Sequence, residues 1–212
     1  MIDMCWSATA DLVAGSAITA VGLACVTRAA RTRPRAVPLA ALPLLLGAHQ
    51  IIEAVIWNAG GGTGPATVAW AVIALPLLPL WVPVAVLCAA PPSARRRLAV
   101  PLVSGVVTSA ALVYVLATST VTAEVRGRTM GYAVGLPNAA WLLAGYLLAT
   151  IGSLLLSGEA GLVLFGAFAA AGAAVCAALW RWEFVSTWCA WAALCSVILH
   201  HWLRPRPGAR VN

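Results

Sequence analysis

The chain has 212 residues, of which 62% are hydrophobic and 9% charged, and its mean hydropathy is +0.94. This composition excludes a soluble globular domain and is typical of a protein that crosses a membrane several times. A formal net charge of +7 would suggest nucleic-acid binding in a soluble protein. In a membrane protein it follows from the retention of basic residues on the cytoplasmic side, so we expect no nucleic-acid partner.

Seven apolar stretches are long enough to cross a bilayer as helices. In chain order they cover residues 7–26, 37–57, 66–89, 98–118, 132–156, 161–180 and 184–203. Arg clusters, Gly/Pro runs or short polar strings separate them, and we find no internal repeat and no soluble domain. We therefore predict an all-α fold, in which residues 1–212 form one bundle of seven transmembrane helices.

The arginines lie mainly on one side of the predicted membrane. All 13 basic residues are Arg; ten follow the first, third and seventh segments, and three follow the fourth and sixth. This bias places the N-terminus outside and the C-terminus in the cytoplasm. The absence of Lys, with abundant Ala, Gly and Pro, indicates a high-GC bacterial genome, so we expect a bacterial cell membrane.

The second segment carries an ionisable residue inside its apolar run. His49, Glu53 and Trp57 are spaced four residues apart, which puts them on one face of a helix. A carboxylate there costs on the order of 3 kcal/mol. We therefore expect this face to be turned away from lipid, and Glu53 is the first candidate for function.

Other polar and aromatic residues fall in the same outer half of the predicted bundle. They are Asp11, Trp70, Tyr114, Asn138, Trp141, Trp188 and Trp191. His200 and His201 lie instead at the inner margin. This difference in depth argues against an intramembrane zinc hydrolase, whose histidines share one level. The six cysteines form no CxxC motif, so we expect neither a disulfide framework nor a zinc ribbon.

An acid in a dry, aromatic-rich cavity suggests protonation chemistry. Burial favours the neutral, proton-bearing form of a carboxyl group, which can then protonate an alkene or an epoxide. Aromatic faces stabilise a carbocation by about 2 kcal/mol each when desolvated. We assign Glu53 as the acid, tuned by Asp11 and His49. The predicted substrate-binding residues are Trp57, Trp70, Tyr114, Asn138, Trp141, Trp188 and Trp191, and we expect no metal and no cofactor.

The segment MCWSATAD at residues 4–11, followed by ALPLLLGAHQIIEAVIW, resembles a bacterial family of seven-helix membrane proteins that begin Met-Cys-x-Ser-Ala. The resemblance covers nearly the whole chain and implies that Met4 is the true start. The layout and Glu53 are also similar to the integral-membrane terpene cyclases of meroterpenoid and indole-sesquiterpenoid pathways, of the drimentine and xiamycin kind. That similarity implies metal-independent cyclisation of a prenylated, aromatic or indole substrate taken from the bilayer.

The similarity to terpene cyclases departs at one position. Fungal members pair the acid of helix two with an acid on the last helix, whereas the last segment here has only Glu183 at its edge. Asp11 is the replacement that we assign.

Two other functions remain open from the sequence. Cys5, Asp11, His49 and Glu53 would suit a transition-metal or redox site at the outer face. A transporter or a sensor of a hydrophobic ligand would need no catalytic acid.

Overall fold

The computed structural model describes residues 7–127, 129–179 and 184–204, and most of them are helical. The helices are α1 (Ala8–Thr32), α2 (Pro34–Asn58), α3 (Pro65–Ala89), α4 (Pro92–Thr118), α5 (Ala139–Leu155), α6 (Ala160–Leu179) and α7 (Phe184–Trp202). The strands β1 (Thr122–Arg126) and β2 (Thr129–Ala133) lie between α4 and α5.

Several helices are suited to a membrane. By length and composition, α1, α2, α3, α4 and α6 can each cross a bilayer. The apolar helix α5 is shorter, at 17 residues, and α7 has 19 residues. The chain is therefore a mostly helical protein with several helices long enough to span a membrane.

Glycines bring α1 and α2 close together. A Cβ atom on Gly15 would lie 2.8 Å from the carbonyl oxygen of Gly47, and one on Gly47 would lie 2.9 Å from the oxygen of Gly15. Only glycine permits this approach on both sides. Small residues at such a crossing let two membrane helices pack backbone to backbone.

Two π-helical turns interrupt α3 and α5, at Ile73–Leu77 and Leu148–Gly152. The first contains Pro76, which has no N–H to donate. Neighbouring helices supply donors to the carbonyl groups of this turn. The Tyr146 hydroxyl donates to the Ala74 oxygen at 2.7 Å, and the Ser109 hydroxyl donates to the Pro76 oxygen at 2.6 Å. These bonds satisfy backbone groups that lipid leaves without partners.

The prediction of a helix over residues 132–156 is wrong at its start, and the all-α prediction misses a small sheet. Strands β1 and β2 form an antiparallel hairpin in which Val125 pairs with Met130. The chain turns at Gly127, whose φ is +64°. An isolated bridge joins Ala123 to Gly62 in the α2–α3 loop. Pairing with these partners overrides the apolar character of residues 130–137.

The helix ends gather into two groups. The Cys25 Sγ lies 3.7 Å from the His200 Nδ1, which joins the end of α1 to the end of α7. The Trp202 Nε1 donates to the Glu159 Oε2 at 3.4 Å, which adds the start of α6. We call this group the basic end. The opposite group, with the β-hairpin and Gly62, is the hairpin end.

Candidate functional site

Helix α2 presents one buried face to the bundle. Leu42, Leu46, His49 and Glu53 recur on it at intervals of three and four residues, as expected for one side of a helix. His49 is 0% exposed, its neighbour Gln50 is 1% exposed and Glu53 is 2% exposed. The polar residues of α2 are therefore enclosed by protein.

Glu53 is hydrogen bonded across helices. The Trp70 Nε1 donates to the Glu53 Oε2 at 3.0 Å, and the Trp70 side chain is itself 1% exposed. Trp70 lies one turn into α3, immediately after the loop that leaves α2. The short connection brings the end of one helix beside the start of the next.

Trp70 also belongs to a group of rings. Its centroid lies 3.4 Å from that of Tyr132, with the planes 9° apart, and 4.8 Å from that of His49, with the planes tilted by 37°. We call His49, Trp70 and Tyr132 the aromatic stack. Because Tyr132 is on β2, the hairpin packs against the indole that contacts Glu53.

A second buried carboxyl group lies on α1. Asp11 is 1% exposed and has the Trp57 indole as its neighbour. The Asp11 Oδ2 and the Trp57 Nε1 are both buried, and neither atom has a well-formed hydrogen bond in the described part of the chain. A buried polar atom of this kind normally pairs with protein or with water.

His49 has one ring nitrogen engaged. The Gln50 Nε2 lies 3.5 Å from the His49 Nδ1. If the amide donates to Nδ1, the neutral imidazole carries its proton on Nε2. That Nε2 has no hydrogen-bond partner among the described residues. Asp11, His49 and Trp57 thus each offer an unused hydrogen-bonding atom inside the bundle.

Tyr132 and Gln50 are site residues that our reading of the sequence missed. The alternation TAEVR–TMGYA around Gly127 is the signal that would have placed Tyr132 on a hairpin. Gln50 adjoins His49 in the sequence, and an amide inside an apolar helix is a signal of its own.

Trp188 and Trp191 lie between α6 and α7. The Trp188 Nε1 donates to the Ala169 oxygen at 3.0 Å, and the Trp191 Nε1 donates to the Phe168 oxygen at 2.9 Å. Trp188 also lines an apolar cavity of about 50 Å³, to which Leu42 and Leu46 contribute. Both indoles join helices. We predicted that they bind substrate together with Trp70, but neither of them belongs to the aromatic stack.

Tyr114 and Trp141 lie on the outside of the bundle. Tyr114 is 70% exposed and Trp141 is 81% exposed. Together with Asn138 they line an open groove of about 390 Å³ between α4 and α5. Asn138 precedes α5 with a positive φ of 51°, a conformation that Asn tolerates better than most residues. The three residues line one groove, which is separate from the aromatic stack.

The alternative metal site is not assembled by the described residues. No three His, Cys, Asp or Glu side chains within the described ranges converge in a way that would hold a metal ion. Asp11, His49 and Glu53 therefore do not form a three-ligand metal site among the described residues. Cys5 and Glu183 lie outside the described residues.

Comparison with known proteins gives a family without an assigned activity. Residues 4–212 match the model described as "Family of unknown function (DUF6629)". No curated protein and no solved structure matches the chain. Since the match spans nearly all of the sequence, the chain belongs to the DUF6629 family of unknown function.

Proposed function

We propose that the chain crosses a bacterial cell membrane seven times, with its N-terminus outside and its C-terminus in the cytoplasm. Ten of the 13 arginines follow the first, third and seventh apolar segments, which supports this orientation. At 17 residues, α5 is at the lower limit for a crossing helix. The aromatic stack and Asp11 then lie near the outer surface.

We further propose that the protein binds a lipophilic small molecule and that Glu53 acts on it as a proton donor. The observation that carries this proposal is the enclosed carboxyl of Glu53, which the Trp70 N–H contacts at 3.0 Å beside stacked rings. Burial keeps a carboxyl in its neutral form. The indole N–H favours the carboxylate that remains after proton transfer.

The reaction that suits this arrangement is a cyclisation of the terpene-cyclase type. The Glu53 carboxyl gives its proton to an alkene carbon or an epoxide oxygen. The electron pair of the alkene forms the new C–H bond, or the C–O bond of the epoxide breaks, and a carbon becomes cationic. A second double bond attacks this carbon and closes the ring, and loss of a proton ends the sequence.

We assign the aromatic residues in this proposal by their distance from Glu53. Trp70, which contacts Glu53, and Tyr132, which stacks on Trp70, take the cation-stabilising role. Trp188 and Trp191, which hold helices together, and Trp141, which is on the surface, are removed from that role. Asp11 on α1 and His49, one turn before Glu53 on α2, remain tuning residues.

The test uses membranes that contain the full chain, incubated with a farnesylated indole and with its epoxide. Glu53→Gln keeps the size of the side chain and an acceptor for Trp70 but has no acidic proton. We expect cyclised product with the wild type and at least a hundredfold less with Glu53→Gln, as for the loss of a general acid. Glu124→Gln, the same change at an exposed acid of the hairpin, is the control. Equal turnover in both variants would contradict the role of Glu53.

Binding without conversion is the second candidate, and the groove between α4 and α5 favours it. Its volume of about 390 Å³ is in the range of small-molecule sites, and its lining residues include aromatic rings but no acid. On this account a bound polyene is recovered unchanged from purified protein. Trp141→Ala then lowers the amount recovered, and Glu53→Gln does not.

A further inference from the structure

An open groove at the basic end lies apart from the sites described above. It has a volume of about 490 Å³. Its lining residues come from the start of α2, the end of α3 and the end of α7: Arg33, Pro34, Arg35, Ala36, Ala89 and Trp202. The Arg33 guanidinium lies over the Trp202 ring, 4.8 Å from its centroid. The groove therefore combines two cations with an aromatic wall and small apolar residues.

The described acids do not balance the charge of this end. Its described basic residues are Arg28, Arg31, Arg33, Arg35, Arg95, Arg96, Arg97 and Arg204. The acid described there is Glu159, which accepts a hydrogen bond from Trp202. Eight arginines are therefore described at this end beside one acid, whereas Arg126 at the hairpin end forms an ion pair with Glu124. The basic end thus has a large excess of positive charge.

One guanidinium nitrogen of this excess is inside the protein. The Arg28 Nη1 is buried and has no hydrogen-bond partner in the part of the chain that the structure describes. Arg28 precedes Arg33 by five residues, near the end of α1. A buried N–H group without an acceptor is costly. Arg28 is half-buried and does not line the groove, so it adds to the positive charge of this end without being placed in the site.

We propose that this groove binds the phosphate group of an anionic phospholipid. Arg is suited to phosphate because its planar guanidinium donates two parallel hydrogen bonds to phosphate oxygens. On the proposed orientation, on which this inference rests, Trp202 ends α7 at the cytoplasmic surface, where indoles meet lipid headgroups. Basic pockets between helices on the cytoplasmic side are typical sites for anionic headgroups. The small apolar residues Ala36 and Ala89 leave room for the glycerol and the first acyl carbons.

The test measures thermal unfolding of the purified full chain in detergent. Phosphatidylglycerol and phosphatidylcholine with identical acyl chains are added separately. We expect phosphatidylglycerol to raise the midpoint temperature more than phosphatidylcholine does. The double variant Arg33→Gln/Arg35→Gln should lose at least half of that difference. The control Arg95→Gln/Arg96→Gln removes the same charge from exposed residues of the same end, outside the groove, and should keep it.

Three results would overturn the proposal. Equal midpoints with the two lipids would show that there is no preference for the anionic headgroup. Equal losses in the two double variants would indicate a diffuse charge effect. An equal rise with inorganic phosphate at the same phosphate concentration would assign the groove to a soluble anion. If Arg33→Gln/Arg35→Gln does not fold, native mass spectrometry of the wild type decides, because equal retention of the two lipids contradicts the proposal.

Discussion

Trp70 and Glu53 are 17 residues apart in the sequence, and a hydrogen bond of 3.0 Å joins the indole Nε1 to the carboxyl Oε2. This bond ties α3 to α2 at the hairpin end of the bundle. Tyr132 lies flat against the same indole, so three segments meet at Trp70. The contacts of Trp70 therefore determine the surroundings of the proposed proton donor.

Replacing Trp70 by Phe tests the structural value of this bond. The ring remains available for stacking, but Glu53 loses a donor inside the bundle. Because a buried acceptor without its donor costs about 1–3 kcal/mol, we expect the free energy of unfolding to fall by that amount, measured by denaturant titration in micelles. The matched control is Trp141→Phe at a residue that is 81% exposed. Equal effects of the two variants would contradict the account of Trp70.

The π-helical turn of α3 gives a second prediction. Tyr146→Phe removes the hydroxyl that donates to the Ala74 oxygen. Interhelical hydrogen bonds in membranes contribute about 0.6 kcal/mol on average and up to about 1.7 kcal/mol. The free energy of unfolding should fall by an amount between these two values. Tyr114→Phe makes the same change at a residue that is 70% exposed and should leave it unchanged. An unchanged free energy of unfolding in Tyr146→Phe would mean that the Ala74 carbonyl needs no donor from Tyr146.

The close packing of α1 on α2 gives a third prediction. A methyl group at Gly47 would meet Thr19 and the Gly15 backbone, so Gly47→Ala must push the two helices apart. Overpacking of this kind costs about 1–3 kcal/mol, which thermal unfolding in detergent measures. At Gly64 an added Cβ meets nothing within 4 Å and φ is −68°, so Gly64→Ala is the control. A Gly47→Ala midpoint equal to that of Gly64→Ala would contradict the close approach.

Much of the helical layout could be predicted from the sequence because apolar length alone determines where a helix can span. The ends were less predictable. Helix α1 continues to Thr32, beyond the apolar stretch that we predicted to end at residue 26, because Ala and Arg are good helix formers outside the apolar stretch as well. The hairpin was missed because residues 130–137 are apolar enough to resemble the start of a crossing.

The residues of the candidate site were predicted unevenly, for a geometric reason. The cost of a carboxylate in lipid predicted that Glu53 faces protein, and it is 2% exposed. Topology also placed Trp70 and Trp141 at one depth. Depth does not determine the direction in which a side chain points around its helix axis. Packing decides that direction, and it buries Trp70 against Glu53 while it leaves Trp141 on the surface.

Deuterium labelling follows the proton that Glu53 is proposed to transfer. The wild-type protein is incubated with the farnesylated indole in D₂O, and the product is analysed by mass spectrometry and NMR. A carboxyl that exchanges its proton with solvent predicts one deuterium at the carbon that Glu53 protonates, and no such product from Glu53→Gln. A cyclised product without deuterium, or a labelled product from Glu53→Gln, would contradict the account.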